Sequence, residues 1–224
     1  VSGGASGIGA RIVAELQEGG WRVATLDLNT ASRADLSLRV DVTDRRGVTQ
    51  ALEHIESVLG PLDGVVAGAG HYEERPFTGI ATADWQRMLA VHVGGVFNLL
   101  RAAVPGMLVR NSGRFVAIAS ERAIGGGSND AHYASAKAAA LALIRCAAAE
   151  VAGTPIRINA VAPGPTDTPL LPPDSWERQD SFLSTLPIHR IANTGEIAFA
   201  VRTLLEEDLF LHGEVLSINS GTVI

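Results

Sequence analysis

Tyr133 and Lys137 stand four residues apart in the run Tyr133-Ala-Ser-Ala-Lys137, so on a helix they share one face. A free tyrosine, with a pKa of about 10, is a poor proton-transfer partner at neutral pH. An ammonium held beside the phenol stabilises the phenolate, and a drop of ~3 units corresponds to ~4 kcal/mol of differential stabilisation. Ser120 lies thirteen residues earlier, where its hydroxyl could hold a reacting oxygen while Tyr133 transfers the proton. Each of these residues has an ordinary alternative. A Tyr-x-x-x-Lys pair arises by chance in many helices, and Ser120 could simply close a turn.

The start of the chain carries a second signal. Ser2-Gly3-Gly4-Ala5-Ser6-Gly7-Ile8-Gly9 is a glycine-rich strand-to-helix turn. Backbone N–H groups at Gly3, Ser6, Gly7 and Ile8 can approach a pyrophosphate there, and the helix N-terminus favours its negative charge. The turn gains weight from Asp27, about twenty residues on, whose carboxylate can accept from both adenosine ribose hydroxyls. The same carboxylate repels a 2′-phosphate, and Leu28, Asn29 and Thr30 supply no cation to reverse that. NAD is therefore favoured over NADP, with Arg33 the residue that would overturn this if the loop folded back. Asp41-Val42 suits an acid–apolar pair against an adenine ring, or a cap for the helix beginning near Thr43.

These groups need elements to position them. Short β-rich runs alternate with helical patterns, the mark of βαβ units and a parallel sheet. Ile8, Ile12, Val13 and Leu16 recur at helical spacing and Gly19-Gly20 ends that helix. Strands are expected at 21–26, 38–40, 62–67, 114–119, 157–161 and 214–219. Helices are expected around Val48–Leu59, over 84–110 with Pro105 kinking or ending it, around Tyr133 and Lys137, and over 194–206. The connection after Asp27 is too short and polar for a crossover helix. Asp27, Asp41, Gly68, Ser120 and Pro163 all fall at carboxyl ends of strands, where open parallel sheets place their sites. The chain opens at Val1 directly before the glycine turn, where a central strand should already be ending, so several preceding residues are expected.

The 224 residues suit one α/β domain over 1–224, with a substrate lid at about 168–190. A hydrophobic share of 46% with 19% charged residues reads as globular. A net charge of −6 argues against nucleic-acid or anionic-membrane binding, since both need a basic face. The single cysteine, Cys146, permits no intrachain disulfide and fits a cytoplasmic protein. The apolar stretch 131–149 is interrupted by Lys137 and Arg145 and reads as a buried helix. No metal-ligand pattern is present in the sequence.

Taken together, Gly3-x-x-x-Gly7-Ile8-Gly9, Ser120, Tyr133-x-x-x-Lys137 and Pro163-Gly164 make the chain resemble the short-chain dehydrogenases/reductases over essentially its whole length. The resemblance implies a doubly wound Rossmann fold, with helices on both faces of a seven-stranded parallel sheet of order 3-2-1-4-5-6-7, counting a strand before Val1. It implies hydride exchange between NAD and a secondary alcohol or ketone, with Ser120, Tyr133 and Lys137 catalytic. Lys137 would also bond the nicotinamide ribose, Pro163, Gly164, Thr166 and Thr168 would fix its carboxamide, and Ala67, Gly68, Ala69 and Gly70 would pass along the cofactor. Relatives of this type are homodimers or homotetramers built on the helices around Val91 and Tyr133.

Three departures stand out. Ser2 replaces a threonine, and Ala67-Gly68-Ala69-Gly70 replaces an Asn-Asn-Ala-Gly run. His92 replaces an asparagine of the proton relay, which acts largely through its backbone carbonyl. A bend in the helix would keep the relay, reduced or re-routed, and His92 could itself shuttle protons by titrating near neutrality or merely pack.

In the lid, Leu170, Leu171, Trp176, Phe182 and Leu186 offer apolar surface, while the loop 71–77 and Glu121-Arg122 border the cleft and could read a polar or anionic group. The short connector after Asp27, the run 90–99 and the run 162–168 look like the 2,3-dihydro-2,3-dihydroxybenzoate dehydrogenases, which implies a cyclic dihydrodiol. Two rivals remain: an NADPH-linked 3-oxoacyl reductase, disfavoured by Asp27, and a non-catalytic dinucleotide-sensing subunit.

Overall fold

The computed structural model describes residues 1–206 and 209–223. Helix α1 (Gly7–Glu18) starts from the extended Ser6, buries Ile12, Val13 and Leu16, and stops at Gly19. Strands β1 (Ala24–Asp27) and β2 (Leu36–Arg39) pair in parallel and are joined by a loop, as the short polar connector requires. Helix α2 (Arg45–Leu59) is capped by Asp44, whose carboxylate accepts from the Arg46 N–H at 3.0 Å, and is followed by β3 (Gly64–Ala67).

Helix α3 (Thr82–Leu89) passes through a π-helical turn (Ala90–Gly94) into α4 (Gly95–Arg110). Pro105 neither ends nor shortens this run, because Ala103 and Met107 on either side are locked into the core. The continuous helix over 82–110 is long and apolar enough to cross a membrane, yet Met88, Val96, Leu99, Leu100, Ala103 and Met107 are buried inside the protein. Then come β4 (Arg114–Ile118), a short α5 (Arg122–Gly125) and α6 (Ala131–Val151). The chain continues through β5 (Arg157–Pro163), α7 (Asp180–Leu183), α8 (Thr194–Glu206) and β6 (Val215–Ile218).

All strand pairs are parallel, in the orders β1-β2 and β3-β4-β5-β6. Strand alternation divides the core. Phe115 and Ala117 face α2, α4 and α6 with Ile55, Leu99 and Ile144, whereas Val116 and Val66 face α1 and α8 with Ile12, Ile197 and Val201. Side chains of this size each gain roughly 1.5–3 kcal/mol on full burial. Among the described residues the strands number six in two sheets, rather than seven in one. The seam between β1 and β3 is bridged by residues 1–3: the Val1 amino group donates to the Ala24 carbonyl and the Gly3 N–H to the Leu26 carbonyl on one side, while the Ser2 N–H donates to the Val66 carbonyl on the other. A cavity of about 520 Å³ lies along that seam.

Candidate active site

The carboxyl ends of β1, β3, β4 and β5 open onto a cleft of about 1150 Å³. At one end the glycine turn is shaped by contact. A Cβ at Gly9 would lie 2.0 Å from the Gly3 carbonyl oxygen, and one at Gly3 would lie 2.8 Å from the Ala69 backbone. Gly3 and Gly7 also hold positive φ, +71° and +53°. Gly3, Ser6, Gly7 and Ile8 therefore form a smooth cradle along the cleft. The hydroxyl of Ser2 accepts from the N–H groups of Gly68 and Ala69 at 3.1 and 3.2 Å, so it braces the very loop whose amide side chains are missing.

Asp27 lines the cleft at the end of β1, with Oδ2 accepting from the Ala5 N–H and Oδ1 from the Asn29 N–H, each at 3.0 Å. Arg33 is exposed and stands outside the cleft lining. Asp41 and Val42 line it as well. The Asp41 carboxylate accepts from the Thr43 N–H and hydroxyl at 2.8 Å, closing a local turn, while the helix cap is Asp44 rather than Asp41. The Val42 carbonyl accepts from buried Asn98 of α4 at 2.8 Å. Gly68 and Ala69 border the cleft, but Ala67 does not: as the last residue of β3 it is buried in the core. These features fit a dinucleotide, since an apolar pocket and a hydroxyl-accepting carboxylate flank a cradle that any side chain would fill.

At the other end Ser120 follows β4 and Tyr133 and Lys137 project from α6, and all three line the cleft. Lys137 Nζ donates to the Ile118 carbonyl at 2.7 Å and lies 5.7 Å from the Tyr133 ring centroid. Burial lowers its pKa to about 8. The expected lowering of the Tyr133 pKa is not what this environment produces. Burial raises the phenol, Glu121 and Asp130 add to the rise, and Ser120 and Arg122 pull against it. The desolvation of a phenolate outweighs an ammonium already bonded to a carbonyl. Ser120 Oγ donates to Glu121 Oε2 and accepts from the Arg122 N–H, both at 3.2 Å.

His92 sits in the π-helical turn, with its ring edge-on to Tyr133 at 5.3 Å. Its Nε2 lies 2.8 Å from the His71 carbonyl, and its Nδ1 is buried with no hydrogen-bond partner in the structure. Burial first, then the Lys137 charge, holds its pKa at about 2. Titration near neutrality is thus corrected: the imidazole stays neutral because the hydrogen bond to the His71 carbonyl does not offset the cost of burying a cation beside Lys137.

At the end of β5 and just past it, Pro163, Gly164, Thr166 and Thr168 border the cleft, with the Thr166 hydroxyl donating to the Gly164 carbonyl at 2.8 Å. In the lid, Leu170 and Leu171 face the cleft, Trp176 and Phe182 pack edge to face at 4.7 Å, and Leu186 is buried rather than presented. Asp130, Glu177 and Tyr72 gather around Arg122 without any spacing signal in the sequence. Tyr72 packs edge-on against Tyr133 at 4.9 Å. Among the described residues no cluster of three or more His, Cys, Asp or Glu is arranged to hold a metal.

A family model described as enoyl-(acyl carrier protein) reductase matches residues 3–223. The chain is 36% identical over 225 residues to an acetoacetyl-CoA reductase of Synechocystis sp., covering 99% of this chain and 94% of that protein. It is 33% identical over 234 residues to a cis-4-hydroxycyclohexanecarboxylate dehydrogenase of Sinomonas cyclohexanicum, covering 99% and 94%. Among solved structures, the ligand-free aldohexose dehydrogenase of Thermoplasma acidophilum superposes with a TM-score of 0.92 at 26% identity, covering 99% of this chain and 91% of that one.

Proposed function

The chain belongs to the short-chain dehydrogenase/reductase family, and we propose that it exchanges hydride between NAD(H) and a small secondary alcohol or ketone. The observation that carries this reading is that Ser120, Tyr133 and Lys137 meet in the cleft that also holds the glycine turn and Asp27. When bound, the nicotinamide supplies or accepts the hydride at the carbinol carbon.

The chain's own residues handle the oxygen and its proton. In reduction the Tyr133 phenol, kept protonated by burial, donates to the oxygen that becomes the alcohol. In oxidation the phenolate recovers that proton, so higher pH favours this direction. Ser120 holds the oxygen in place, and the Lys137 ammonium keeps positive charge beside it while anchored to β4. With His92 neutral, we assign onward proton transfer to backbone carbonyls of the π-helical turn and solvent.

Asp27 supports NAD over NADP, because a second anion at the ribose would face its carboxylate without an arginine to offset it. An NADPH-linked 3-oxoacyl reductase is the second reading, supported by the likeness to an acetoacetyl-CoA reductase and weakened by Asp27. A higher kcat/KM with NADPH than with NADH would favour it. Association into a homodimer or homotetramer in the cytoplasm completes the reading, and exposed Phe97, Leu108 and Val109 on α4 support the association.

The test is a nicotinamide-fluorescence screen of cyclic alcohols, dihydrodiols, sugars and 3-hydroxyacyl thioesters. Tyr133→Phe should abolish hydride transfer while leaving NADH binding nearly unchanged. Normal turnover by that variant overturns the role given to Tyr133, and binding without turnover of any substrate would leave a dinucleotide-sensing subunit.

A further inference from the structure

Beyond Ser120 the cleft is walled by acids. Glu121, only 4% exposed, sets Oε1 3.3 Å from Arg122 Nε while its Oε2 meets Ser120. Glu177 reaches in from the lid with Oε1 3.6 Å from Arg122 Nη2. Asp130, fully buried, places Oδ2 3.4 Å from Arg122 Nε, and its Oδ1 has no partner. One guanidinium thus faces three carboxylates.

The other cations lining the cleft are also engaged: Arg87 with Glu73 and Asp84, and Lys137 with the Ile118 carbonyl. Burial raises the pKa of Glu121, Asp130 and Glu177, with Arg122 opposing it in each case. An anionic substrate group would therefore meet acceptor oxygens and no uncommitted cation in the lining. A hydroxyl donates to those oxygens and brings no charge to desolvate, whereas an ammonium carries its own desolvation cost into the same buried wall. On the lid side, Leu170 and Leu171 line the same cleft as Glu177 and offer apolar surface suited to the CH face of a ring.

Resting on the oxidoreductase reading above, we infer that Glu121 and Glu177 determine specificity, selecting a neutral cyclic alcohol with a second hydroxyl beside the reacting carbinol and rejecting carboxylate and acyl-CoA substrates. This sets the chain apart from an enzyme for dihydroxybenzoate-type acids while retaining the diol.

Four probes separate the outcomes: cis-1,2-cyclohexanediol, 4-hydroxycyclohexanecarboxylate, 3-hydroxybutyryl-CoA and 2-aminocyclohexanol. The diol should exceed each of the others in kcat/KM by about tenfold or more. Glu121→Gln and Glu177→Gln should each reduce the diol-to-carboxylate ratio about tenfold, and Glu177→Lys should bring the carboxylate to parity or better. NADH affinity, read by fluorescence, should remain unchanged in all three variants, showing that the cofactor end is intact.

Binding of the same probes to the NADH complex reports selection without turnover. If the diol binds best and nothing is turned over, the selection stands and the oxidoreductase reading falls. If the carboxylate, thioester or amine binds best, if the diol fails to bind, or if the glutamine variants leave the ratio unchanged, the inference is overturned.

Discussion

The ammonium of Lys137 donates to the carbonyl of Ile118 at 2.7 Å, so the reactive face of α6 is tied to the last residue of β4. That bond fixes where Tyr133 stands relative to Ser120, two residues past Ile118. It also keeps a charge in a buried position, where its pKa falls to about 8.

With the roles proposed for Tyr133 and Lys137, these two groups should set the pH dependence of carbonyl reduction. Tyr133, raised by burial, remains protonated through neutrality, whereas Lys137 loses its charge as pH rises through about 8. The kcat/KM for reduction should be flat near neutrality and fall on the alkaline side of that value. Lys137→Met should lower kcat by about a hundredfold or more and abolish the alkaline step. An unchanged pH profile in the variant would show that another group titrates.

The placement of the cleft residues was legible in the sequence where it depends on periodic elements and the turns that end them. Asp27, Ser120 and Pro163 fall at or just past the ends of β1, β4 and β5 because alternating apolar runs locate the strands and glycines locate the turns after them. Asp130 and Glu177 were not legible, because they approach Arg122 from a loop and from the lid, where nothing repeats. The direction of the Tyr133 and His92 shifts was also hidden. Sequence spacing reports which charges are near, but the depth of burial decides which effect wins.

His92 offers a direct spectroscopic check. With its pKa near 2, its ring signals should not move between about pH 5 and 8, the window in which an ordinary histidine titrates. His92→Asn should retain activity within about tenfold, because its ring holds no exchangeable charge at working pH. A titration midpoint near 6.5 would restore the shuttle role to the imidazole.

Gly9 of the glycine turn has no room for an added carbon. Gly9→Ala would place a methyl 2.0 Å from the Gly3 carbonyl oxygen, and both partners are backbone, so the turn itself must move. NADH affinity should drop by about tenfold or more, with a stability loss of roughly 1–3 kcal/mol from overpacking. Isothermal binding and thermal melts of the variant test both halves, and wild-type affinity would mean that the cofactor does not rely on this turn.

On the function proposed above, cofactor choice should turn on Asp27. Its two oxygens accept from Ala5 and Asn29, an arrangement that fixes the carboxylate at the cleft edge and keeps its negative charge facing whatever occupies the ribose position. Removing the charge in Asp27→Ala deletes the acceptor for ribose hydroxyls and the repulsion toward a 2′-phosphate together. The ratio of kcat/KM for NADH over NADPH should therefore fall at least tenfold, a change of about 1.4 kcal/mol. Asp27→Asn separates the two effects, since it removes the charge but keeps one acceptor oxygen. It should recover part of the NADH activity while remaining more permissive to NADPH than the parent. A ratio that stays constant in both variants would locate cofactor discrimination elsewhere in the cleft.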